Sequence, residues 1–226
     1  NKSKEQVFLA TEFTFYLFKC SKNGKSYSVN IKFNWSDLER VEFIQKNQFS
    51  VTYQDGTLKI QHHGASYLLT LILSYLKSIL NPQELPEIDV PSSITNDIEI
   101  YPDSFIRRFR YKIITNGQKL PEELVTSLEK QTQSNELDMN KLPASMTNYF
   151  DLILSCLQVT PSIVSIILPN SSNSQTHWNQ LANCLRYNTT LELLVTSDKL
   201  ESGNVKNFCE SLNNNKESKL KKFAFV

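Results

Sequence analysis

Glycine is scarce in this sequence, with five in 226 residues. That disfavours the glycine-rich loops on which phosphate-binding and dinucleotide folds depend. Cysteine is sparse too. Cys20, Cys156, Cys184 and Cys209 stand far apart and form neither a metal-ligand cluster nor a dense disulfide framework, so a reducing, cytoplasmic setting is expected. There are three histidines: His62 and His63 have no cysteine or carboxylate at metal spacing, and His177 precedes Trp178 at an expected helix start. Neither charge sign prevails. The net charge of +1 argues against a dedicated nucleic-acid binder. No apolar run approaches the roughly 20 residues of a membrane span; the longest, Tyr67 to Leu76, is interrupted by Thr70 and Ser74. The opening Asn1-Lys-Ser-Lys4 leads into an alternating segment without a small-residue cleavage site and does not read as a signal peptide. Gly-x-Ser-x-Gly, His-Glu-x-x-His and phosphate-loop motifs are absent. No metal, cofactor or catalytic residue is therefore expected.

What is present begins with strands. From Gln6 to Phe18, apolar residues alternate at Val7, Leu9, Phe13, Phe15 and Leu17, the two-residue period of a half-buried strand. Asn23-Gly24 and Asp55-Gly56 are hairpin signals. Tyr27, Val29, Ile31 and Phe33 alternate between them, as do Phe49, Val51 and Tyr53 later, giving about five short strands in a meander. After Gly64 the period changes. Leu68, Leu69, Ile72, Leu73, Leu76, Ile79 and Leu80 keep helical spacing until Asn81-Pro82. A meander closed by one amphipathic helix resembles a pleckstrin-homology (PH) domain lacking its first strands, over residues 1–81, which implies further sequence upstream.

Residues 82–145 read as a linker. Pro82, Pro86, Pro91 and Pro102 with intervening acidic residues predict an extended chain. Phe105, Phe109 and Tyr111 interleave with Arg107, Arg108 and Arg110; packing of this stretch onto the C-terminal part is favoured over membrane or nucleic-acid contact. Pro121 with Glu122 and Glu123 opens a short helix, and Gln131 to Lys141 is expected as loop.

Residues 146–226 repeat. Ile163-Val-Ser-Ile166-Ile-Leu168, Leu191-Glu-Leu-Leu194-Val-Thr196 and Leu220-Lys-Lys-Phe223-Ala-Phe225 share an apolar-x-x-apolar-x-apolar pattern, Thr196 being the one departure. Their starts lie 28 and 29 residues apart. Each follows an amphipathic helix: Tyr149 to Leu157, Trp178 to Leu185, and Val205 to Leu212. Helix–turn–strand at this period is the pattern of a long-class leucine-rich repeat (LRR), in which units unable to bury their own apolar face stack side by side. About three units are visible, and a continuation beyond Val226 is expected. Cys156 and Cys184 occupy equivalent positions and read as core filling.

A PH-like module, a linker and long-class LRR units together resemble the N-terminal part of the CARMIL family, the capping-protein, Arp-complex and myosin-I linkers of the actin cytoskeleton. The local likenesses are Val7-Phe-Leu-Ala-Thr11-Glu-Phe-Thr-Phe15, Ile31-Lys-Phe-Asn-Trp-Ser-Asp-Leu38-Glu-Arg-Val41, Tyr67 to Leu80 with its Asn81-Pro82 exit, and Trp178-x-x-Leu181-Ala-x-x-Leu185-x-x-Asn188-x-x-Leu191. The resemblance implies an α+β PH-like sheet followed by an α/β solenoid. It further implies a non-enzymatic, membrane-associated scaffold at the cytoplasmic face of the plasma membrane and in the cytoskeleton. Its partners would be anionic lipids, bound through Lys19, Lys22, Lys25 and Lys32, and actin capping protein, bound mostly through segments outside this chain, with a homodimer possible in the full-length protein. The alternative is a PH-plus-LRR module of another pathway, such as a small-GTPase regulator similar to the LRR activators of Ran. An unrecognised enzyme is the third reading.

Overall fold

A computed structural model describes residues 6–21, 26–169, 175–197 and 202–225. The chain forms two compact units, Asn1–Leu76 with Glu84–Glu99, and Lys77–Gln83 with Ile100–Val226.

In the first unit, β1 (Gln6–Ala10), β2 (Thr14–Cys20) and β3 (Tyr27–Asn34) form one antiparallel sheet. The expected single strand from Gln6 to Phe18 is thus two. The break is local chemistry: the Thr11 hydroxyl accepts the Thr14 N–H at 3.0 Å, and the Thr11 N–H bonds the Thr14 carbonyl at 2.9 Å, closing a tight turn. A second sheet holds β4 (Leu38–Gln45), β5 (Gln48–Tyr53) and β6 (Gly56–Gln61), with β7 (Glu87–Asp89) added parallel to β4. Helix α1 (Ala65–Ile79) follows, and Ala65, Leu69, Leu73 and Leu76 on one stripe are buried. Phe15, Phe33, Trp35, Val41, Phe49 and Val51 fill the interior beside it. Trp35 donates Nε1–H to the Thr11 carbonyl at 3.0 Å, so the indole is buried with its polar atom satisfied.

The second unit corrects the linker expectation. Beyond a short α2 (Ser92–Thr95), residues 100–145 carry α3 (Ser104–Thr115), α4 (Glu122–Thr132) and β8 (Glu136–Asp138). The prolines sit between elements: Pro91 and Pro121 occupy N-cap positions, and Pro102 stands just before α3. Phe105, Phe109 and Ile113, one helical turn apart, are wholly buried together with Leu137, Ile153 and Leu154. The aromatic-basic stretch is therefore one face of a core helix.

Then come α5 (Phe150–Cys156), β9 (Ser165–Ile167), α6 (Gln175–Tyr187), β10 (Leu193–Thr196), α7 (Ser202–Asn214) and β11 (Lys222–Phe225). The four strands β8 to β11 are parallel neighbours in sequence order. Their register puts Leu137, Ile166, Leu194 and Phe223 in one row, 29, 28 and 29 residues apart. The first three are fully buried against Leu181, Leu185 and Phe208 of the helices. One strand more joins the row than the three expected. Its signature is Leu137-x-Met139, which precedes Ile166-x-Leu168 by 29 residues, with Ser134 in place of the first apolar residue.

Within the second unit, side chains and backbone tie each helix–strand segment to the next. Asn188, buried, donates Nδ2–H to the Leu157 carbonyl at 2.6 Å and accepts from the N–H groups of Leu191 (2.7 Å) and Thr190 (3.0 Å). Asn215, 27 residues on, donates to the Leu185 and Asn188 carbonyls, both at 2.7 Å. The carbonyls of Asn135, Val164 and Glu192 each accept two N–H groups from the start of the following strand segment. Asn135 reaches this geometry at φ 57°, a left-handed conformation that asparagine tolerates better than most residues.

Candidate functional site

The lysines singled out in the sequence are brought together only in part. Lys19 is exposed near the end of β2 and Lys32 is exposed on β3. Three rungs separate them, because Tyr16, not Lys19, pairs with Lys32, and strand alternation turns them to opposite faces of the sheet. Lys22 and Lys25 lie outside the described residues. The Lys32 Nζ stands 5.7 Å over the Tyr16 ring, a cation–π contact that holds the charge against an aromatic surface.

That surface was not anticipated. Alternation places Phe8, Phe15, Leu17 and Phe33 of the β1–β2–β3 sheet on the inner face, where Phe15, Leu17 and Phe33 are buried. The outer face carries two cross-strand rows, Val7–Phe18–Val29 and Leu9–Tyr16–Lys32, with Tyr27 opposite Cys20 beyond them. A bulge in β3, at the register shift between Leu17 and Phe18, returns Ile31 to the inner side and leaves Val29 and Lys32 outward. Val7 is 46% exposed, Leu9 50%, Val29 54% and Tyr27 58%. The outer face of an antiparallel sheet is ordinarily polar. Val7 and Leu9 come to share a face with Tyr16 and Phe18 only once the strand is folded back at Thr11, so spacing along the sequence does not reveal it.

A groove of about 890 Å³ also opens in the first unit, lined by Phe8, Leu17, Leu58, Ile60, His62 and His63 among others. The two imidazoles lie 4.1 Å apart between centroids, and His62 Nδ1 accepts the Gly64 N–H at 3.0 Å. No cluster of three metal-ligating side chains occurs among the described residues.

In the second unit, the sheet positions turned away from the buried row form two lines, Glu136–Ser165–Leu193–Lys222 and Asp138–Ile167–Val195–Ala224. This face is acidic at β8, aliphatic in the middle and basic at β11. Burial works against the charge on Asp138, but the Lys141 ammonium at 2.9 Å and the Asn140 N–H at 3.1 Å outweigh it and hold the carboxyl below its ordinary value. Lys141 is raised by the same contact. The Cys184 thiol is pushed up to about 12 by burial, with Cys156 beside it adding to the effect, so neither sulfur is placed as a nucleophile. The His177 ring lies tilted against Phe150, with centroids 4.2 Å apart, and faces Asp151 at 3.6 Å, at the start of α6.

Arg108 is the one fully buried cation among the described residues. Its Nη1 donates to the Cys156 and Val159 carbonyls, each at 2.7 Å, and its Nη2 to the Lys77 carbonyl at 3.0 Å. These are carbonyls at or near helix C-termini, where backbone acceptors lack helical partners and the dipole favours a cation. The arrangement is architectural.

Known protein families and curated protein sequences offer no match to this chain. Among the described residues, no helix is long and apolar enough to cross a membrane.

Proposed function

We propose that this chain is a non-enzymatic, membrane-associated scaffold of the CARMIL type. On this reading the first unit is a PH-like membrane-docking module. The second is an LRR stack presenting a protein-binding sheet face, and the whole serves the regulation of actin filament assembly and capping protein. The observation that supports it most is the row Leu137–Ile166–Leu194–Phe223: strand positions repeating at 28–29 residues, each preceded by a helix and laid parallel in sequence order. Such a stack offers a broad, regular surface, which suits recognition of another protein. The aliphatic strip flanked by Glu136 and Asp138 on one side and Lys222 on the other gives that surface a directional charge pattern.

The test is localisation. A fluorescent fusion of the chain should concentrate at the actin-rich cell margin. A wild-type fusion spread evenly through the cytosol would remove the membrane-scaffold reading.

A further inference from the structure

The outer face of the β1–β2–β3 sheet poses a physical problem that the lysine loop does not solve. Two full rows of side chains, Val7–Phe18–Val29 and Leu9–Tyr16–Lys32, stand on a solvent-side sheet surface, and neither contains a carboxylate. Isolated exposed apolar residues are ordinary, but a contiguous apolar face of this kind marks a contact surface.

We propose that this face docks on an anionic lipid bilayer, with Val7, Leu9, Val29 and Tyr27 entering the headgroup–acyl boundary and Lys32 reaching back to lipid phosphates. The inference rests on the membrane-associated reading above and replaces its basic loop with a different contact surface.

Three features favour a bilayer over other occupants. The chemistry is that of an interface: aliphatic side chains at the centre, with tyrosines that bury a ring while keeping a hydroxyl in water. The cation is suited to it. Lys32 lies over Tyr16 at 5.7 Å, and its long stem lets the charge rise to the headgroup level while the methylenes stay on apolar surface. The single charge in the two rows is Lys32. A second copy packed face to face offers it no acidic partner from either row, whereas an anionic leaflet does.

The experiment is co-sedimentation of the whole chain with phosphatidylcholine vesicles, with and without phosphatidylserine, alongside light scattering. Wild type should sediment with the phosphatidylserine vesicles. Leu9→Asp with Val29→Asp should lower the partition coefficient more than tenfold, and Lys32→Gln by about fivefold, the worth of one lysine at an anionic surface. Leu9 and Val29 are half exposed, so the double variant should keep its circular-dichroism spectrum and melting temperature. A second measurement avoids that variant: Tyr27→Trp adds an exposed indole to a chain whose Trp35 and Trp178 are buried, and brominated lipid should quench the added emission.

Failure of wild type to bind removes this inference and the membrane reading together. Loss of binding on reversing Lys19, Lys22 and Lys25, with the double aspartate variant still bound as wild type, overturns the sheet face alone. A wild-type dimer that the double aspartate substitution breaks, with no vesicle binding, assigns the face to a second copy and likewise overturns it.

Discussion

Replacing Asn188 by alanine should unravel the second unit more than almost any other single polar substitution. The residue is 3% exposed, and its side chain bonds the Leu157 carbonyl at 2.6 Å and accepts from the N–H groups of Leu191 at 2.7 Å and Thr190 at 3.0 Å and from the Thr190 hydroxyl at 3.4 Å. An orphaned buried polar group costs about 1–3 kcal/mol. Partial relaxation and water access at Thr190 reduce the sum, so a loss of about 2–4 kcal/mol is expected. Against a domain stability of about 5–15 kcal/mol this is a large share. In urea, with a slope of about 2 kcal/mol per molar, the midpoint should fall by about 1–2 M. Asn215→Ala should cost a similar amount, since its Nδ2 bonds the Leu185 and Asn188 carbonyls. Because Asn215 holds the backbone of Asn188 itself, the double variant should lose less than the two singles added. The assay is urea unfolding followed by far-ultraviolet circular dichroism. A loss below about 1 kcal/mol for Asn188→Ala, or strict additivity with Asn215→Ala, would refute the claim that these asparagines stitch successive segments of the second unit together.

Three further expectations follow from the same structure. Arg108→Met should destabilise the second unit by about 3–5 kcal/mol, since three carbonyls lose a buried charged donor; Arg108→Lys should restore only part, because one ammonium cannot reproduce the fork; thermal unfolding of both variants checks this. A thiol reagent should modify exposed Cys209 in the native protein and leave Cys184, with its thiol at about 12, untouched until urea unfolds the chain; mass spectrometry of the labelled cysteines reads the difference. Asp138 has a native carboxyl pKa below its unfolded value, so its contribution is present above the ordinary carboxylate range and is lost as pH falls through the native value; Asp138→Asn should therefore be less stable than wild type at neutral pH and equal to it in strong acid, as urea midpoints across pH would show.

The strand row was legible because parallel pairing sets equivalent apolar residues side by side in register. Ile166, Leu194 and Phe223 could be aligned by counting. Leu137 escaped because Ser134 breaks the pattern at its first position and because four prolines upstream suggested an open chain. Prolines mark boundaries as readily as linkers, and Phe105, Phe109 and Ile113 at four-residue steps were the evidence for a helix among them. In the first unit, strand period was read correctly through Phe15, Leu17 and Phe33, yet it does not say where a strand reverses. A single threonine hydroxyl at position 11 decides that, and with it the parity of Val7 and Leu9. The exposed sheet face was therefore invisible until pairing was known, whereas the lysines were easy to see and, for Lys19 and Lys32, do not share a face.

The doubled acceptors at Asn135, Val164 and Glu192 give the second unit an unusual evolutionary freedom. Each of the three seams between the neighbouring strands β8 to β11 is made from equivalent backbone groups, so an inserted helix–strand segment of the same length would meet matching donors and acceptors on either side. Lengthening such a molecule asks for gene duplication, and hardly for invention.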